Sequence, residues 1–546
     1  MASRYSMSAE MPATRKSIHR SIRRQGGQAG PLPELHEQQQ QQQQPLYPSE
    51  KISVRPVNER ADGPTAAAPL NPASKFETDS DPSHDERGYA ILTGADRWGL
   101  TQKPFLAEDL NDEGRTRNTR LRYIEGLRGI LGLQVLIWTF FRIFAPAIVV
   151  DRDIDGIYPA TFTSTSPSWQ NVLRKALSPL LFNGDLQAAF FVIISGRVSL
   201  QTFVERRNAI SLSGPAFKRP FRFIPPVAIT LALVTLVVAV NGFRYADEMA
   251  TDLNNQLARA PVQWNSALEF FNSLAFYFFT PDAYKTARAV QFLPPSGIMW
   301  FIPILFQQTY VMIIIAFILP VTIFRYKTLG MVLLILTTAW VGRWSWYTLT
   351  GLMLAEYSTI YLQMLPKQGI PITRSGSRHI AAWIPGVVFT LLGIFFKYLW
   401  IAALPADANN EIVAHVDGST GKLNYSTDPA EIAYPRYDNW LLATGVLYLI
   451  ELSPVAKRVL AIKPLAYLGR LSFSIALISG TVMLSLGSFL YHFFVVNQGW
   501  NSDAGLLGVL FVILVPASLV IAELYARIID DTTLFATKWL FKWIRV

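Results

Sequence analysis

Arg128 opens the first long apolar run of this chain, and Thr139 lies eleven residues further on, in the middle of that run. Eleven residues of α-helix make about three turns, so both side chains share one face roughly 16 Å apart. A guanidinium at a membrane edge, aligned with a polar group at depth, is costly to keep unless the two line a site. A second concentration of polar groups is Asn183-Gly184-Asp185-Leu186-Gln187, followed by an apolar run that holds Ser195, Gly196 and Arg197. Asp185 can act as a general base, or it can cap a helix N-terminus, where an anion is favoured. Ser195-Gly196 admits close approach of a ligand, or simply of another helix. Next comes Lys218-Arg219-Pro220-Phe221-Arg222. Such a cluster before a span orients it in the membrane, and it can equally clamp phosphates, which arginine pairs bidentately. Finally, Trp300 precedes Gln307 and Tyr310, which fall three apart on one helical face. These three can line a substrate cleft, or the two polar groups can bond helix to helix.

Other chemistries are excluded. There is no cysteine, hence no thiol nucleophile, disulfide or cysteine-bound zinc. The six histidines are dispersed and none has metal-ligand spacing, so no metal site is expected.

The elements that must position these residues are membrane helices. Hydrophobic residues make up 51% and charged residues 16% of the chain, against about 25% charged in soluble domains. Mean hydropathy is +0.24. The apolar residues cluster into runs of about 20, enough to cross a hydrocarbon core of about 30 Å. The sequence predicts an all-α polytopic membrane protein with about ten spans, near 126–149, 178–203, 223–243, 298–323, 328–342, 344–363, 380–403, 439–455, 471–496 and 505–527. Segment 265–280 is apolar and aromatic but short, as suits an interfacial or re-entrant helix. Arg142, Glu356, Lys397, Glu451 and Glu523 fall near the span ends, where long side chains can snorkel.

Lysines and arginines alternate with the spans. Arg206, Arg207, Lys218, Arg219 and Arg222 fall on the same side as Arg115–Arg122, whereas the 404–438 loop is acidic and carries the glycosylation acceptor Asn424-Tyr425-Ser426. This pattern predicts cytoplasmic N- and C-termini in an endomembrane or the plasma membrane. It also accounts for the net charge of +10 without a nucleic-acid partner. Residues 1–118, with a glutamine tract at Gln38–Gln44 and a basic start, hold no apolar-periodic run. They are expected to form a disordered cytoplasmic tail, and the start lacks the apolar core of a secretory signal. Residues 119–546 form the membrane domain.

In this order the pieces resemble the acyltransferase-3 family of polytopic membrane enzymes. The likeness covers residues 120 to 545. It rests on YIEGLRGILGLQVLIW, on NGDLQAAFFVIISGR with its following basic stretch, on Trp300 with Gln307 and Tyr310, on Gly351–Glu356, on Leu468-Gly469-Arg470-Leu471-Ser472-Phe473-Ser474 and on Ala522–Tyr525. The long polar tail and the Ser-Gly-Arg variant resemble the fungal branch. The resemblance implies an acyl-CoA (acetyl-CoA) co-substrate bound from the cytoplasmic side by Arg128, Lys218, Arg219 and Arg222. It implies a hydroxyl-bearing acceptor near Ser195, Arg197, Trp300, Gln307 and Tyr310.

The departures fall in the catalytic parts. Thr139 stands where the family has its histidine, Leu305 and Phe306 where acidic residues are expected, and Ser479 where a late motif ends in histidine. A threonine hydroxyl does not accept a proton usefully at neutral pH, as imidazole does. Asp185 is the best-placed substitute base, with His492 second. Two function classes remain open: an O-acyltransferase with a rearranged base, and a non-catalytic relative serving as a binding, partner or transport module. A ten-span transporter unrelated to the family is disfavoured, since matching Gly/Pro-broken spans are lacking.

Overall fold

The computed structural model describes residues 107–149, 166–206, 209–262, 264–279, 298–319, 322, 324–362, 369–371, 379–404, 435–500 and 503–544. The predicted tail up to residue 106 and the acidic loop with Asn424 lie outside these. The described chain is mostly helical. The site needs twelve helices: α1 (Ala107–Phe144), α2 (Gly184–Ser199), α3 (Ala209–Ala239), α4 (Phe301–Ile318), α5 (Phe324–Trp340), α6 (Ser345–Glu356), α7 (Ile384–Tyr398), α8 (Tyr437–Leu452), α9 (Pro454–Leu460), α10 (Lys463–His492), α11 (Asp503–Tyr525) and α12 (Asp531–Ile544). Helix α1 therefore begins before residue 119. A two-stranded antiparallel pair joins Ile370–Pro371 to His379–Ile380.

Every predicted span overlaps helix among the described residues, but seven helices there are long and apolar enough to cross a membrane, rather than ten. Local breaks explain the difference. Gly342 takes φ +68° between α5 and α6, and the turn leaves α5 with 17 residues, while α6 runs on through a π turn, Tyr357–Tyr361. At 1.5 Å per residue α5 reaches about 26 Å, short of a hydrocarbon core, and the run after Gly342 is interrupted by Ser345, Thr348, Thr350, Glu356, Ser358 and Thr359. Helices α8 and α9 bend by 102° at Ser453. Pro454 forces its predecessor into extended backbone, and the Ser453 hydroxyl then accepts the Ala456 N–H at 3.2 Å, starting α9 afresh. Counting that pair as one span gives eight. Segment 265–280 is a 13-residue helix, Ala267–Phe279.

The spans divide by what their apolar faces meet. The α2 and α10 spans are each 72% buried over their most apolar windows, whereas the Ile384–Ala403 span is 17% buried. Val388, Leu391, Leu392 and Phe395 of α7 face outward, as expected where lipid replaces water as the outer solvent. Centrally, α1 runs parallel to α10 with backbones almost in contact: a Cβ on Gly469 would collide with the carbonyl oxygen of Glu125. Helix α2 runs antiparallel to α1, with Gly184 under Trp138 at one end and Arg197 beside Tyr123 at the other. Gly196 meets Gly351 of α6 equally closely, so the small pair at Ser195-Gly196 admits a helix.

Buried ions tie these helices together. Glu451 accepts Arg197 Nε at 2.9 Å, Tyr123 Oη at 2.6 Å and Lys457 Nζ at 3.0 Å. Lys327 pairs with Glu356 at 3.0 Å, and Lys397 with Asp438 at 3.3 Å. Glu356, Lys397 and Glu451 are thus partners in buried pairs and do not snorkel. Each would be a costly uncompensated charge if its partner were removed. Arg142 packs over Trp138, and Glu523 pairs with exposed Arg527.

Candidate functional site

Two polar clusters lie towards opposite ends of the α1–α2 pair. The first is built around arginines. Helix α3 carries Pro215, Pro220, Pro225 and Pro226 within its length. Pro220 has no N–H, so the carbonyl of Ala216, four residues earlier, is left without its helical donor. Tyr310 of α4 donates its hydroxyl to that carbonyl at 3.3 Å, which draws α4 against α3. Beside this contact, Arg219 Nη2 donates to Ser195 Oγ of α2 at 3.0 Å and to Ser199 Oγ one turn on. Its guanidinium rests 5.3 Å from the centre of the Phe223 ring.

From α1, Arg128 Nη2 donates to Ser472 Oγ of α10 at 3.4 Å. Ser472 spends its own proton on the Gly469 carbonyl at 2.8 Å and so presents a lone pair to the arginine. Arg222 acts electrostatically on both Arg128 and Arg219. Three guanidiniums therefore act on one another in one region, and two of them, Arg128 and Arg219, are held by neutral hydroxyls. The carboxylate within electrostatic range of Arg128 and Arg222 is Asp530, besides Glu125 beside Arg128. At an effective dielectric near 20, a unit anion 4 Å from one such charge gains about 4 kcal/mol of Coulomb energy. The arrangement suits a multivalent, phosphate-like anion.

The second cluster is built around Asp185. Asn183 caps α2 by accepting the Leu186 N–H at 3.0 Å, so the capping role falls to Asn183 and not to Asp185. Asp185 keeps accessible surface, and Lys397, Arg436, Arg142 and Asp438 all act on it. Asp438, buried, holds Lys397 and also accepts Arg436 Nε at 3.3 Å. Arg142 stacks 4.8 Å from the Trp138 ring centre, and its buried Nε has no hydrogen bond.

The remaining predicted residues fall elsewhere. Thr139 is fully enclosed and donates to the Val135 carbonyl of its own helix at 2.7 Å. It sits near the Asp185 end, since its neighbour Trp138 covers Gly184. Ser479 is also enclosed, with no hydrogen bond to its hydroxyl. Arg197 is taken up by Glu451 and Gln201, away from any open surface. Lys218 leaves the arginines and lies 4.4 Å from the Phe541 ring centre of α12. Trp300 is buried against Trp344 at 5.7 Å. Gln307 donates to the Phe278 carbonyl at 3.2 Å, a helix-to-helix bond. His492 stacks on Tyr245 at 4.0 Å and meets Glu248 at 3.0 Å.

The structure thus gathers Arg128, Ser195, Arg219, Arg222 and Tyr310, and sets Asp185 apart from them. It adds Ser199, Ser472 and Asp530 at the arginine end, and Arg142, Lys397, Arg436 and Asp438 around Asp185. Ser199 was legible as the residue one helical turn beyond Ser195. Arg142, Lys397 and Ser472 stood out in the sequence only as span-end charges or as part of a motif, and Asp530, Arg436 and Asp438 come from distant segments. No protein-family model matches this chain, and neither the curated proteins nor the solved structures contain a match to it.

Proposed function

We propose that the chain is a multi-pass membrane acyltransferase that moves an acyl group, acetyl in the simplest case, from acyl-CoA to a hydroxyl of a sugar, lipid or secondary metabolite. The observation that carries this reading is the convergence of Arg128, Arg219 and Arg222 with the hydroxyls of Ser195 and Ser199. Such a set suits the phosphates of coenzyme A, and the positive-inside pattern assigns that end to the cytosol. Asp185, accessible and separate from the arginines, takes the role of general base at the acceptor end. The acceptor oxygen attacks the thioester carbonyl as Asp185 draws off its proton. The C–S bond then breaks, and the departing thiolate takes up a proton. The acyl arm of the co-substrate bridges the two ends. Thr139 has no part in the proton transfer, because its own proton is committed within α1.

A non-catalytic binding or transport role is the second reading. It is favoured by Thr139 and Ser479 standing where the resembled family has histidines. Labelled acetyl-CoA offered to purified protein in vesicles separates the two. Transfer of label to a hydroxyl compound, lost in Asp185→Asn, is the expected result. Binding without transfer, with transfer appearing only in Thr139→His, overturns the enzyme reading.

A further inference from the structure

Asp530 is a buried acid close to the arginines. It is 6% exposed, and its Oδ1 has no hydrogen bond. A carboxylate oxygen removed from water without a hydrogen bond is costly, and such groups call for an explanation. Its placement is firmly imposed. Between α11 and α12 the chain makes a π turn, Ala526–Asp530, a local insertion that re-aims the residues after it. Tyr525, just before the turn, donates to the Pro226 carbonyl at 2.6 Å and meets the Thr230 hydroxyl at 2.8 Å. Asp531, just after it, pairs with Arg470 at 2.5 Å. Pinned on both sides, the turn packs against α3, which carries Arg222, and against α10, which carries Ser472, the partner of Arg128. The groups that act on Asp530 are Arg222 from α3, Arg128 from α1, Arg470 from α10, and Asp531 on its own strand of helix.

We infer that Asp530 sets the affinity of the arginine site, its buried charge competing with a bound phosphate for Arg128 and Arg222. The inference rests on the reading of that site as a phosphate-anion receptor. Without a ligand, the carboxylate offsets part of the mutual repulsion of the guanidiniums. When an anion arrives, the same guanidiniums must serve both, and the ligand is held less tightly than three arginines alone would hold it. A site freed of this rival binds more strongly and releases more slowly. A role in accepting a hydrogen bond from the ligand would have the opposite sign.

The test uses the full chain in nanodiscs with two probes, inorganic pyrophosphate and acetyl-CoA. Asp530→Asn is expected to tighten pyrophosphate binding by about tenfold, mainly through slower dissociation, and to tighten acetyl-CoA similarly. Asp530→Glu should stay near the wild type. Asp531→Asn, which changes the exposed neighbour, should alter affinity by less than about threefold. Gel filtration reports whether each variant is folded, and Asp530→Ser carries the same expectation should the asparagine variant fail. Pyrophosphate that binds Asp530→Asn no more tightly than the wild type, or that binds neither, overturns the inference. Pyrophosphate that tightens while acetyl-CoA binds neither protein leaves the inference standing and removes the acyl-CoA reading instead.

Discussion

The two ends of the α1–α2 pair hold similar numbers of cations and treat them in opposite ways. At the Asp185 end, Lys397 and Arg436 both meet Asp438, a carboxylate buried between them. Their charge is used internally, and one further acid, Asp185, keeps accessible surface. At the other end, Arg128 and Arg219 bond to serine hydroxyls, and Asp530 stands near without touching. A hydroxyl orients a guanidinium without neutralising it, so positive potential survives there for a ligand. One end has the electrostatics of a brace beside a single reactive acid. The other has those of a receptor.

The contrast can be broken at several points. The largest effect is expected for Asp185→Asn, which should lower acetyl transfer by about 10²–10⁴-fold, the usual worth of a general base. Acetyl-CoA affinity should hold, and comparing initial rates with equilibrium titration checks both. Next, Asp438→Ala should destabilise the protein by about 3–5 kcal/mol by orphaning buried Lys397, read as a lower unfolding temperature in detergent. A combined Lys397→Met, Asp438→Leu variant should recover part of that loss, since apolar groups of similar volume replace a buried pair well.

At the receptor end, Arg219→Gln should weaken acetyl-CoA binding by roughly 10- to 100-fold through loss of charge-assisted hydrogen bonds. Its effect on stability should be far smaller than that of Asp438→Ala. The reverse ordering of these two variants would erase the distinction between brace and receptor. Lys218→Ala removes the cation–π contact with Phe541, worth about 0.5–1 kcal/mol, and should leave acetyl-CoA affinity within about threefold. Thr139→Val should be smallest in stability, within about 1 kcal/mol, because it deletes one hydrogen bond inside a helix. A Thr139→Val unfolding temperature as low as that of Asp438→Ala would mean that the hydroxyl supports more than its own turn.

Much of the architecture was legible because its signals are local. Runs of about 20 apolar residues mark membrane helices whatever their neighbours, and each predicted run overlaps helix among the described residues. Arg128, Ser195, Arg219 and Arg222 stood out because a polar group inside or beside such a run is costly. The span count was less legible. It turned on Gly342 and on Ser453-Pro454, single positions where a helix either continues or turns, and ten predicted spans became seven, or eight with the bent pair.

Composition and periodicity, by themselves, determined a polytopic helical protein with a basic cluster ahead of its third apolar run, which the structure places inside α3, and an acid at the start of α2. Tertiary structure alone decided what each charge does. Arg197 and Lys397 look like binding or snorkelling residues in sequence, yet they are neutralised by Glu451 and Asp438, which lie 254 and 41 positions away. Arg219 and Arg128 come to face hydroxyls instead, and Asp530 reaches them only through a π turn. The physical reason is that the energy of a charge depends on its neighbours within a few ångströms, and in a bundle those neighbours come from other helices. The cost of placing a charge in the membrane is written along the chain; the partner that compensates it is chosen only when the helices pack.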